Sequence, residues 1–502
     1  MPMPFPLVLQ RRVAALLCAQ LVLSACAAQP GPVLWPEPAP QPVATVPDAV
    51  PPGHFAPLRQ RPNFQAPSAE HCARPPQTRE VPGRAAGPQE ALHGEPRGGV
   101  SGLRSSRAAV VAEAAPASPA SKMADRAAAA RDEAVASSKQ APAMPSMAPQ
   151  RQPAPAPVPG PVTAGVVNDN ASFAEYLAFR DRTQVPHRAR DIRERSLLQV
   201  RDAQGRGVAD AEVLVRSPQG QAAWARTDAA GQVWLHPDAF DTQRSRVYEV
   251  TVRQHGLQAR GYLQRGQKSA MELRLDGATR PARARLDLVF LVDATGSMAD
   301  EIDKLKASLR SIADEVAGLP SQPDLCFALV AYRDHGDAFV LRSHDFTNDL
   351  SAFQGVLNRL QAAGGGDYPE AMNEALHETI HRLSWRGDGA TRMALLLADA
   401  PPHVDQGGPQ YDDDMQAALG KGIKVFSVGA SGLDKQGEYI QRQIAQYTGG
   451  RFVFLTYADA RRPSSGPGRE TVHDVRNYSV DTLDRLIVRL VREELAGLQA
   501  GA

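Results

Sequence analysis

Asp293, Thr295 and Ser297 stand at alternate positions in a five-residue stretch, one carboxylate and two hydroxyls. All three are hard oxygen donors, suited to Mg²⁺, Mn²⁺ or Ca²⁺ rather than to Zn²⁺ or copper. Hydroxyl ligands bring no charge, so a cation held this way stays electrophilic enough to take a further oxygen from a partner. More carboxylates follow downstream: Asp367 at the end of Gly364-Gly365-Gly366-Asp367, Glu370 close behind it, and Asp399. A different chemistry is spelled by His377-Glu378-Thr379-Ile380-His381, a literal H-E-x-x-H. Two imidazoles at i and i+4 on a helix can bind Zn²⁺, with the Glu as general base of a hydrolase.

The hard-ligand set needs elements that bring it together, and the surrounding pattern supplies them. Leu286 to Asp293 is a continuous apolar run ending in a polar turn, which reads as a strand buried on both faces. Beyond it, Met298, Ile302, Leu305, Leu309, Ile312 and Val316 recur at helical spacing. Further strands are expected at Leu325–Tyr332, Phe339–Ser343, Met393–Asp399, Lys424–Val428 and Arg451–Phe454, with helical patterns between them and at Val480 to Leu498. Strand and helix in alternation imply an α/β fold with a doubly wound, mostly parallel, Rossmann-like sheet. In such sheets ligands bind at the C-terminal strand ends, where Asp293 and Asp399 fall.

Taken together, these pieces resemble the von Willebrand factor type A (VWA) domain over roughly residues 280–502. Asp293-x-Thr295-x-Ser297 matches the family's D-x-[ST]-x-S motif, and Asp399 its strand-terminal Asp. The resemblance implies a metal-ion-dependent adhesion site (MIDAS) in which Asp293, Thr295, Ser297, Asp367 and Asp399 hold a divalent cation, Mg²⁺ first, with Mn²⁺ and Ca²⁺ as alternatives. It further implies a protein partner that completes the site with a carboxylate or other oxygen. Asp367 stands where the family usually has Thr. A third carboxylate tightens metal binding, lowers the cation's affinity for an acidic partner and favours Ca²⁺ or Mn²⁺. Gly366, Glu370, Asp334, His335 and His403 are expected at the rim.

The rest of the chain frames this domain. Arg11-Arg12 followed by the apolar Val13 to Leu23 reads as a secretory signal, too short to span a bilayer comfortably. It ends in Leu23-Ser24-Ala25-Cys26, which resembles a bacterial lipobox. That makes residues 1–26 a lipoprotein signal and Cys26 the lipidation site. Ala27, by resemblance to Gram-negative lipoproteins, points to the outer membrane. Residues 27–167 are rich in Pro, Ala, Ser and Gly and read as a disordered tether spanning on the order of 60–70 Å as a flexible coil. Residues 168–190 carry one short amphipathic helix. Residues 191–279 show short alternating runs separated by turn signals, the pattern of a small β-sandwich. The Gly207–Ala211 step and the Thr227–Gly231 turn resemble carboxypeptidase-regulatory-like domains, implying a spacer or second binding face. Cys72 and Cys326 leave a bridge open without requiring one, and cysteine use suits an exported protein that does not rely on disulfides.

The remaining motifs weigh against other classes. The apolar face of the H-E-x-x-H helix is Met372, Ala375, Leu376, Thr379, Ile380 and Leu383, which leaves His377 and His381 beside or opposite it, and no third ligand follows. The zinc hydrolase is therefore the runner-up, with a structural-metal scaffold as a third reading. Arg386-Gly387-Asp388 reads as a plain turn, and Asp412-Asp413-Asp414 as the charged N-terminus of a helix. With 56 Lys and Arg against 55 Asp and Glu and no basic block, nothing points to nucleic acid. The expectation is a non-enzymatic, membrane-anchored binding protein.

Overall fold

A computed structural model describes Cys72 and residues 77–83, 161–278, 283–320, 322–366, 368–387 and 389–499. The signal segment with Cys26, most of the tether and Asp367 lie outside the described residues. All described residues belong to one compact unit.

The centre is mixed α/β. Strand β10 (Arg285–Asp293) lies between β11 (Asp324–Tyr332) and β13 (Ala390–Ala398), parallel to both. The parallel block continues through β14 (Ile423–Gly429) and β15 (Phe452–Thr456). Side chains of β10 alternate between two apolar layers. Leu286, Leu288, Phe290 and Val292 enter one, and Val289 and Leu291 the other. Double-sided burial is why this run is apolar without interruption save Asp287, and each such Leu or Phe contributes about 1.5–3 kcal/mol. Asp287 is fully buried and takes hydrogen bonds from Arg386 N and Nε, both at 2.7 Å. Arg386 is thus a buried brace at the base of β10 rather than an exposed turn residue, and Asp388 is outside the described residues.

Helices cover both faces. On the first layer lie α2 (Ala299–Ala317), α3 (Leu350–Arg359) and α7 (Leu483–Gln499), through Ile302, Phe353 and Leu486 among others. On the second lie α4 (Met372–His381), α5 (Tyr411–Lys421) and α6 (Lys435–Thr448), through Leu376, Met415 and Ile440. The last helix begins at Leu483 rather than Val480, because Ser479–Thr482 forms a strand of its own.

The sheet is longer than the sequence pattern implied. Among the described residues its nine strands run β1-β12-β11-β10-β13-β14-β15-β2-β16, with β1 at Thr78–Pro82, β2 at Thr163–Val167, β12 at Phe339–Thr347 and β16 at Ser479–Thr482. Strands β1 (Thr78–Pro82) and β2 (Thr163–Val167) come from the stretch expected to be tether. Both pair antiparallel, β1 with β12 at one edge and β2 between β15 and β16 at the other. The reading of residues 27–167 as wholly tether is corrected at these two strands. Neither has strong local strand character; backbone pairing with an existing sheet edge supplies what the side chains do not. Cys72 near β1 forms a disulfide with Cys326 on β11, Cα to Cα 6.1 Å, so the fold does use a disulfide.

Residues 191–278 form two small sheets, β5-β4-β7-β8 and β6-β3-β9. Their ranges are β3 Ser196–Arg201, β4 Glu212–Arg216, β5 Ala222–Arg226, β6 Gln232–Leu235, β7 Val247–Gln254, β8 Leu257–Gln264 and β9 Met271–Arg274. Gly261 on β8 backs onto Met271 and Leu273 of β9, so the sheets share an interior. That interior is continuous with the second apolar layer of the large sheet. Asp210 seals the junction, buried with Arg392 Nη1 at 2.8 Å and taking Gly389 N at 2.8 Å. Desolvation opposes the charge on Asp210, but Arg392 and Arg226 outweigh it and hold its pKa below the usual carboxylate value. Helix α1 (Phe173–Arg182) packs Tyr176 and Phe179 into the same interior, as a single helix in residues 168–190 should. Among the described residues no helix is long and apolar enough to cross a membrane.

Candidate metal centre

The site sits where β10 and β13 end side by side. Asp293, the last residue of β10, is wholly buried and lies in register with Tyr332 on β11. Its Oδ1 accepts from Thr295 N (3.0 Å) and Thr295 Oγ1 (2.7 Å), which folds the D-x-T-x-S turn back on itself. Thr295 Oγ1 is 3.2 Å from Ser297 Oγ, and Ser297 is exposed. The carboxylate and two hydroxyls therefore converge, as their spacing predicts. Asp293 Oδ2 is buried with no hydrogen bond of good geometry, although Tyr332 and Asp399 are near enough to act on it.

Asp399 follows β13 directly and is 6% exposed. Burial and then the Asp399 charge push Asp293 up to about 7. Burial also raises Asp399; the Ser297 hydroxyl pulls it back, and Glu301 on α2 adds to the rise. The Tyr332 phenol, fully buried, is raised by desolvation and then by Asp293, Asp399 and Glu370. Carboxylates gathered this way without a neighbouring cation disfavour one another's ionisation.

The glycine loop closes over the motif. Gly296 N donates to Gly364 O at 3.1 Å, and Ala363 N to Ala294 O at 3.1 Å. Gly364 and Gly365 have φ of +78° and +74°, and a Cβ on Gly364 would come within 2.1 Å of Asp337 Oδ1. Only glycine fits there. Asp337 holds the loop by accepting from Gly365 N (3.2 and 3.0 Å) and from Asp334 N (3.1 Å). Arg333 ties the same loops, donating to Ala294 O (3.1 Å) and Gln361 O (2.9 Å). Of the two carboxylates expected on this segment, Asp367 lies outside the described residues. Glu370 is buried, with Oε1 3.5 Å from where a Gly365 Cβ would stand. Gly366 is open to solvent.

The residues expected at the rim make contacts of their own. Asp334 Oδ1 meets His403 Nε2 at 2.8 Å, His403 Nδ1 meets Gln406 at 2.9 Å, and His335 Nε2 meets Glu374 at 3.1 Å. Asp334 is joined to the glycine loop through Asp337, which accepts from both Asp334 N and Gly365 N. Tyr368, half exposed, lies where Asp434 and Asp399 both act on its hydroxyl. Sequence reasoning places the strand-end stretch Tyr332 to Asp337 as a source of Asp and His at the rim, gives no separate role to Tyr332, Arg333 or Asp337, and does not single out Glu301. Asp337 and Arg333 sit in a polar loop just past β11, and that strand-end position was the available signal.

The H-E-x-x-H residues part company on α4. Glu378 is buried and engaged by Ser343 Oγ (2.7 Å) and by Arg79 of β1. His377 and His381 meet Asp414 instead. Glu378 therefore shares no partner with the two histidines.

Comparison with known proteins agrees with the centre of the chain. The family model described as von Willebrand factor A domain matches residues 287–387. The mouse von Willebrand factor A domain-containing protein 7 is 38% identical over 89 residues, covering 18% of this chain and 9% of that protein. The alpha-protein kinase vwkA of Dictyostelium discoideum is 29% identical over 138 residues, covering 27% of this chain and 22% of that protein. The chain thus spans less than a quarter of the length of these relatives. The pilus adhesin SpaC from Lactobacillus rhamnosus GG, in its open conformation, is 16% identical with a TM-score of 0.25, covering 41% of this chain and 29% of that one. A likeness that weak supports no inference. The family match coincides with β10, its D-x-T-x-S turn, the glycine loop and α4: the chain carries a von Willebrand factor A domain.

Proposed function

We propose that the Asp293 centre binds a hard divalent cation and that, through it, the chain binds another protein. The carrying observation is Asp293 Oδ2, buried without a hydrogen bond of good geometry beside the Asp399 carboxylate. Two buried carboxylates with hydroxyls at their side form a donor set that fits Mg²⁺, Mn²⁺ or Ca²⁺ and lacks the nitrogen and sulfur that favour Zn²⁺. Asp293, Thr295, Ser297 and Asp399 would hold the ion, with Asp367 and the glycine loop closing one side, as in a MIDAS. The ion would supply an electrophilic position for a carboxylate or other oxygen of the partner. Exposed Ser297 and half-exposed Tyr368 give that partner access and an aromatic contact.

In this reading the protein is a non-enzymatic binding module on a doubly wound, Rossmann-like domain. The lipobox at Cys26 anchors it to the bacterial envelope, at the outer membrane, facing the periplasm or the cell surface. The two small sheets, a carboxypeptidase-regulatory-like sandwich, provide a second face.

The test is a melting series of the full-length chain with Mg²⁺, Mn²⁺, Ca²⁺ or chelator, on wild type and Asp293→Ala. A ligand that binds only the native state raises its stability. Stabilisation by a hard cation that disappears in the variant is the expected result; equal response in both would refute the assignment. Loss of partner binding in folded Asp293→Ala separates a binding role from a purely structural metal.

A further inference from the structure

Asp414 lies in the first turn of α5, in a run of three Asp that suits a helix N-terminus. Its surroundings are not those of a capping residue. Its side chain is 4% exposed, and a single oxygen, Oδ1, is approached by His377 Nδ1 at 3.0 Å and His381 Nε2 at 2.9 Å. The other oxygen, Oδ2, is buried with no hydrogen bond. The two imidazoles stand one helical turn apart on α4 with ring centroids 4.4 Å from each other. Lys421 acts on Asp414 electrostatically, but its ammonium donates to Ile380 O at 2.7 Å. Two imidazole nitrogens converging on one oxygen, with its twin bare, is a poor use of a buried carboxylate and a good approximation to a ligand set.

We propose that His377, His381 and Asp414 form a second metal site, separate from the Asp293 centre, that takes a borderline transition-metal ion, Zn²⁺ foremost. Imidazole nitrogen and carboxylate oxygen are the usual donors for that ion, at about 2.0–2.2 Å each, which puts neighbouring donors about 3.4 Å apart in a tetrahedron. The observed separations reach that value with a few tenths of an ångström of side-chain movement. His377 is 42% exposed, so the fourth position faces solvent. The ion clamps α4 to α5, while the Glu378 carboxylate is engaged by Ser343 and Arg79. Since α4 begins six residues after Gly366, the clamp bears on one wall of the hard-cation centre.

The experiment is Zn²⁺ titration of the chelator-stripped, full-length chain against a chromophoric competitor, repeated with Co²⁺ for its visible spectrum. Wild type, Asp293→Asn and His335→Ala are expected to take up one tight equivalent. His377→Ala and His381→Ala should weaken it at least a hundredfold, with unchanged circular dichroism. As a check needing no variant, bound Zn²⁺ should protect His377 and His381 of wild type from diethyl pyrocarbonate. Failure of wild type to bind Zn²⁺ below millimolar concentration, or binding that survives both substitutions or leaves both histidines reactive, overturns the proposal.

Discussion

Replacing Asp293 by Asn keeps the shape of the side chain and removes one of two facing buried charges. In the metal-free protein the folded-state pKa of Asp293 is raised to about 7. An unfolded Asp titrates near 3.9. Between these values the native state binds more protons than the unfolded state, so stability falls as pH rises from about 4 to about 7 and then levels off. A displacement of about three units corresponds to a loss on the order of 4 kcal/mol. Melting entropy is about 2 cal/mol/K per residue, so this loss is roughly 5 °C in a unit of this size. Asp293→Asn has no such titration. The assay is melting from pH 4 to 8 in chelator, wild type minus variant, which cancels the titration of groups remote from Asp293. The variant should be comparable to wild type near pH 4 and the more stable of the two at pH 7.5. Added Mg²⁺ should reverse that order at pH 7.5 by stabilising wild type alone. Parallel pH profiles in chelator would refute the argument that Asp293 and Asp399 oppose one another without a cation.

Three further outcomes are expected. Asp337→Ala frees Gly365 N and the glycine loop without touching a proposed ligand, so cation affinity should drop about tenfold or more while melting in chelator changes little; unchanged affinity in the titration would deny Asp337 its role. Asp210→Ala removes the buried carboxylate that pairs with Arg392 and Arg226 at the junction with the small sheets and should cost about 3–5 kcal/mol in chemical denaturation, as loss of one partner of a buried pair does. Reducing Cys72–Cys326, which are 254 residues apart, should lower stability by about 5 kcal/mol in the chain-entropy account, read as a drop in melting temperature with reductant that Cys326→Ser reproduces.

Much of the large domain is legible in the sequence because its signals are local. A strand between two strands with both faces covered must be apolar along its length, so β10, β11 and β13 announce themselves. Asp293 and Asp399 stand out as the first charges after such runs, and the D-x-T-x-S turn closes through hydrogen bonds no more than two residues apart. The strands of residues 191–279 show in the same way, through alternation.

Tertiary structure alone decided what depends on distant partners. Thr78–Pro82 and Thr163–Val167 are strands because sheet edges lie beside them, not because their own side chains require it. Cys72 meets Cys326 across 254 residues. Asp337 becomes the anchor of the glycine loop across 28 residues. Glu378 is engaged by Arg79, 299 residues away, while Asp414 reaches the neighbouring histidines from another helix. A motif on one helix states which side chains share a turn; which neighbours each one meets is fixed by the packing of the elements around it.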